Sequence, residues 1–194
     1  MEAHKCIQQT IQWVKAVVIK HNFCPFAAAE LLRRRVRYGV GEGQNAEAHL
    51  ALLAREWKHL DQQADTATTL LVFPEAYPDF ADYLDFVGWA EALLRSLDYE
   101  GIYQLASFHP DYRFAGAEPE DPANYTNRSP YPMLHILREA QLERVLAAYH
   151  DPEGIPLRNI DLARSLGLER MREERRRSME RRLDLKISLI FRAD

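Results

Sequence analysis

Apolar positions along the chain recur with two different periods, and the changes of period divide it into elements. Ile7, Ile11, Val14 and Val18 fall three or four apart, which predicts a helix over residues 3 to 20. His21-Asn22 ends it. Phe23-Cys24-Pro25-Phe26 reads as a turn, because the residue before a proline is pushed out of the helical region. Pro25 suits the first position of a second helix over 25 to 34, and Arg33, Arg34 and Arg35 in its last turn match the negative end of a helix dipole. A weak strand, Val36 to Val40, precedes a helix from Asn45 to Leu60 with Leu50, Leu53, Trp57 and Leu60 on one face. Thr68 to Phe73 is a strand of buried type, Asp79 to Leu97 an apolar-faced helix, and Ile102 to Phe108 a third strand.

A long loop, Ser107 to Pro132, comes next. The apolar pattern Leu134, Leu137, Leu142, Val145 and Leu146 then predicts a helix from Pro130 to Tyr149. Pro156 to Leu166 is a short helix stopped by Gly167, and Leu168 to Arg182 a charged one. In the tail the period falls to two: Leu183, Leu185, Ile187 and Leu189 alternate with polar residues, as in a half-buried strand at a sheet edge or between two chains. The order strand, helix, strand, helix, strand predicts an α/β fold. Its short parallel sheet would carry crossover helices on its faces, with extra helices at both ends and a C-terminal edge strand. Residues 1–167 read as one domain and 168–194 as an appended charged helix and alternating tail.

Composition narrows the class only a little. The chain has 194 residues, 47% of them hydrophobic and 28% charged, enough for one globular domain with a sizeable core. A net charge of -4 gives no electrostatic case for nucleic acid. No run of apolar residues is long enough to span a bilayer, so no membrane partner is expected. Two cysteines, Cys6 and Cys24, make a disulfide framework unexpected. Together with an N-terminus that lacks the layout of a secretory signal, they point to a cytoplasmic protein.

Candidate chemistry gathers in the loop and around one thiol. Ligands of open parallel sheets bind outside the carboxyl ends of the strands, which would bring the loops after Val40, Phe73 and Phe108 to one rim. His109 sits one residue past its strand, either as a general acid/base or as a rigid-turn histidine bonded to backbone. Cys24, at the N-terminus of the helix that Pro25 opens, is either a thiol with a lowered pKa or a small buried apolar residue. Asp111, Tyr112, Arg113, Asn124, Tyr125, Asn127, Arg128 and Ser129 offer a polar binding surface. Ser129-Pro130 reads as a helix cap beside which Arg128 and Asn127 could hold a phosphate or carboxylate, or as a plain cap with a surface arginine. Tyr131 and His135, four apart, extend that site or simply pack. Gly41-Glu42-Gly43-Gln44-Asn45-Ala46 matches a loose dinucleotide pattern but fits a glycine-rich strand-to-helix turn better. A metal at Cys24, His109, Asp111 and His21 would lack any compact ligand spacing, so no metal is expected and no cofactor is indicated.

Cys24-Pro25-Phe26-Ala27, the strand Thr68 to Pro74, the block Gln104 to Gly116 and the block Asn124 to His135 together resemble the bacterial and plant family filed as domain of unknown function 1415. The resemblance spans residues 5 to 167. It implies no activity, but it puts Cys24, His109 and Asn127-Arg128-Ser129 inside the family's characteristic blocks. The leading expectation is a small enzyme, a hydrolase or transferase, acting on a polar anionic molecule through Cys24 and His109. The alternatives are a non-catalytic anion-binding module and a homodimer joined through the C-terminal strand.

Overall fold

A computed structural model describes residues 3–180 of the protein. The N-terminal helix α1 (Ala3–Trp13) runs on into a π-helical segment, Val14–Ile19, and a short helix, α2 (Ala27–Leu32), follows the Cys24-Pro25 turn. Then come β1 (Val36–Val40), α3 (Ala46–Gln62), β2 (Thr68–Val72), α4 (Phe80–Ser96) and β3 (Tyr103–Phe108). A 3-10 turn, Pro122–Thr126, lies within the long loop. The chain closes with β4 (Met133–Arg138), α5 (Glu139–Ala147), α6 (Ile155–Leu166) and α7 (Leu168–Glu180). No helix among the described residues is long and apolar enough to cross a membrane.

The four strands form one mixed sheet in the order β1-β2-β4-β3. β1 pairs with β2 in parallel, and β4 pairs with β2 and with β3 in antiparallel. β1, β2 and β3 therefore point the same way, and β4 returns between two of them. The α/β class is as expected, but the sheet is not all-parallel. The helix expected over 130–149 accounts for the difference: Met133–Arg138 is a central strand, and the helix begins only at Glu139. Both faces of β4 are covered, so it needs no alternation of apolar and polar residues, and its run Met-Leu-His-Ile-Leu fits either period. Pro130 and Pro132 disfavour the helical region for Ser129 and Tyr131, the residues before them.

Each face of the sheet has its own core. α3 and α4 cover one, burying Leu53, Trp57, Tyr83 and Phe86 against Leu71, Leu134 and Ile136. Both helices start on sequence-encoded caps: Asn45 Oδ1 accepts from the Ala48 N–H, and Asp79 Oδ1 accepts from Ala81 and Asp82. The Arg138 guanidinium spans the far end of α3, donating to the Leu60, Gln63 and Thr66 carbonyls. The other face carries Trp13, Val14, Val17, Leu70, Val72, Met133, Ala163 and Met171. α7 belongs to this second core through the fully buried Met171, and Glu174 ties it to His21 at 2.5 Å and to Lys20 at 2.6 Å. The alternating segment 183–189 lies outside the described residues.

Candidate functional site

The carboxyl ends of β1, β2 and β3 meet at one rim, as the strand directions require. Gly41 N–H donates to the Val72 carbonyl, and Phe73 N–H donates to that of Pro132. A Cβ on Gly41 would stand 2.5 Å from the Phe73 ring and 2.9 Å from that of His49, so close packing explains this glycine without a dinucleotide. His109 also lies at the rim but is closed to ligands. It is fully buried between Phe80 and Tyr83. Its Nε2–H donates to the Tyr77 carbonyl at 2.9 Å, and its Nδ1 accepts the Asp111 N–H at 3.0 Å. Burial lowers its pKa. With both nitrogens committed, this histidine fastens the loop to the α4 side of the sheet.

The polar loop satisfies itself in the same way. Asn124, fully buried, accepts from Phe114 N–H through Oδ1 and donates to the Glu118 carbonyl through Nδ2. Asn127 donates to Ser107 O, and Ser129 donates to Tyr131 O. Arg128 donates to the Tyr112 and Pro119 carbonyls and lies 4.8 Å over the buried Tyr125 ring, with Arg175 on the same ring at 5.9 Å. Tyr112 packs on Phe80 and Phe114, while Asp111 and Arg113 are exposed. Because residues 133–138 are strand, Ser129-Pro130 opens no helix. The anion cradle expected at Asn127 and Arg128 is thus not assembled.

On the opposite face of the sheet there is a cavity of about 400 Å³. Its floor is made by one face of the sheet: Val36 of β1, Thr68 and Leu70 of β2, His135 and Leu137 of β4, Ala106 and Phe108 of β3. Pairing explains this row, since Leu70, His135 and Ala106 stand directly opposite one another. One wall comes from the N-terminal segment through Trp13, Val14, Val18, Phe23, Cys24 and Phe26. The other comes from α5 and the start of α6, through Leu142, Val145, Leu146 and Ile155. No residue of α5 is fully buried, although its apolar stripe faces inward, so the cavity takes the place of a packed core under that helix.

Cys24 thus shares a site with His135, and His109 lies across the sheet from both. α2 is only six residues long and begins at Ala27 with Phe26 as its cap, so Cys24 lies outside it and gains little from its dipole. Burial raises the Cys24 pKa, against a smaller opposing effect of the Phe26 and Ala27 N–H groups. His135 is pushed down to about 4 by burial. Its Nε2 is 2.6 Å from Thr68 Oγ1, which itself lies 2.5 Å from the Ile136 carbonyl. The hydroxyl has one proton and the carbonyl has none. Thr68 therefore donates to Ile136 and accepts from His135, so Nε2 carries the imidazole proton.

His135 was singled out in the sequence, though on a helix with Tyr131 and not on a strand. Thr68, Trp13 and the α5 stripe were not singled out; the inward-facing Leu142, Val145 and Leu146 were the available signal. No group of three or more metal-ligating side chains lies together among the described residues.

These features define an α/β protein with an apolar cavity between its sheet and its terminal helices. The chain belongs to the family described as protein of unknown function (DUF1415), which it matches over residues 5–173. The match runs past Gly167 into α7, in keeping with the buried Met171. Neither a curated protein nor a solved structure matches the chain.

Proposed function

We propose that this protein binds a small, mainly apolar molecule in the cavity between the sheet and α5. The observation that carries the reading is the lining itself: about 400 Å³, within the range of ligand pockets, and apolar apart from a few polar groups. Apolar contact would supply most of the affinity. A bicyclic aromatic covering on the order of 200 Å² of apolar surface gains about 5 kcal/mol, against about 1 kcal/mol for a hydrogen bond. The loss of orientational freedom offsets much of that gain, so a simple probe of this size should bind in the micromolar to millimolar range.

Calorimetric titration of 1-methoxynaphthalene tests the proposal. Wild type should bind one equivalent, and Ala106→Phe, which fills the floor beside His135, should not. A wild type with no heat of binding, or a variant that binds unchanged, would overturn it.

A second reading, a thiol-dependent hydrolase or transferase, is favoured by Cys24 and His135 lining one cavity. Burial opposes it, because it keeps the thiol and the imidazole both uncharged, whereas thiolate chemistry needs the reverse. Alkylation of Cys24 by iodoacetamide across pH separates the two. A rate above that of a model thiol at neutral pH, lost in His135→Phe, would support the enzyme.

A further inference from the structure

The chemistry of the cavity's polar groups goes further than its size, and it rests on the binding reading above. Thr68 holds the proton of His135 on Nε2, so Nδ1 presents a lone pair. Nothing among the described residues bonds to Nδ1, and the atom is not sealed from the cavity as the Trp13 indole nitrogen is. An acceptor left without water or partner in apolar surroundings is costly, so a complementary ligand must bring it a proton donor.

The other polar groups agree in sign. Glu30 lines the cavity with a carboxylate, paired only loosely with Arg33 at 3.5 Å and Arg35 at 3.6 Å. Arg138, the one cation of the lining among the described residues, is spent on the carbonyls that end α3 and on the Tyr103 hydroxyl. Gln141 is neutral. Among the described residues the cavity therefore offers acceptors, a carboxylate and no uncommitted cation, so an anionic headgroup would find no counter-charge among them.

We infer that His135 Nδ1 is the polar anchor of the cavity and that its ligand is an apolar molecule with a neutral hydrogen-bond donor, an alcohol or phenol, rather than an anion. Thr68 acts as a positioning residue that fixes the tautomer.

Three probes of one shape test this by calorimetry near pH 7: 1-naphthol, 1-methoxynaphthalene and 1-naphthoate. Naphthol should bind on the order of tenfold more tightly than the ether, the worth of one hydrogen bond to an otherwise unmet acceptor. Naphthoate should bind least. In His135→Phe the naphthol and the ether should become equal. On wild type, which requires no substitution, naphthol but not the ether should shift the His135 Nδ1 resonance in a ¹⁵N spectrum. Equal binding of naphthol and ether to wild type would overturn the donor preference and leave the cavity reading intact. Tightest binding by naphthoate would overturn the account of the polar groups. No binding by any of the three would overturn both.

Discussion

Thr68 Oγ1 and His135 Nε2 lie 2.6 Å apart on neighbouring strands at the floor of the cavity, and that contact fixes which nitrogen of the imidazole is free. The hydroxyl is held in turn by the Ile136 carbonyl at 2.5 Å, so its orientation is set by the sheet and not by a mobile loop.

Thr68→Val keeps the shape of the side chain and removes the hydroxyl. It leaves the Nε2–H of His135 without its partner, so it should cost about 1–3 kcal/mol in urea unfolding. It should also convert the single His135 tautomer in the ¹⁵N spectrum into a mixture. An unchanged spectrum would mean that Thr68 does not set the tautomer.

Burial of His135 makes stability depend on acidity. Burial holds the folded imidazole of His135 down to about 4, against about 6.5 for an unperturbed histidine, so between those values the unfolded chain binds more protons. Its contribution is complete above about pH 6.5 and is lost as the pH falls toward 4, about 3 kcal/mol in all. His49, His59 and His109 are lowered too and add to the same trend. Urea midpoints at pH 7 and pH 5 should therefore separate more widely in wild type than in His135→Gln. Equal separations would show that His135 is not the buried base described.

His109 and Arg128 serve the loop and not the ligand. His109→Ala strands the Tyr77 carbonyl and the Asp111 N–H and opens a void, for about 2–4 kcal/mol. Arg128→Ala releases the Tyr112 and Pro119 carbonyls, for about 1–3 kcal/mol, and should speed proteolytic cleavage within the exposed stretch 115–120. Both variants, at temperatures where they remain folded, should bind 1-naphthol as wild type does. A tenfold weakening in either would return the site to the rim.

Much of the fold was readable because its signals are local. Asn45 and Asp79 announce α3 and α4, the Val36–Val40 strand has the bounds expected, and the directions of β1, β2 and β3 follow from their crossover helices. β4 escaped because a strand covered on both faces carries no period of its own. That one element moved the site. With residues 133–138 as a helix, Ser129 becomes a cap and Arg128 an anion ligand. As a strand, the same residues put His135 on the floor of a cavity that Cys24 overlooks. The polar loop was conspicuous for a different reason. A long irregular segment must satisfy its buried backbone, and Asn124, Asn127, Arg128 and His109 do so. Composition alone does not distinguish groups kept for the loop's own carbonyls from groups kept for a ligand.

The central claim is that the cavity beneath α5 is a ligand site. The most direct measurement is a methyl NMR titration of wild type with 1-naphthol. Shifts should be confined to methyl groups of the lining, Leu70, Ala106, Leu142, Val145 and Ile155 among them, with Leu53, Leu60 and Leu134 on the other face unmoved, and none should appear in Ala106→Phe. Shifts centred on the loop 107–132, or none at saturating probe, would contradict it.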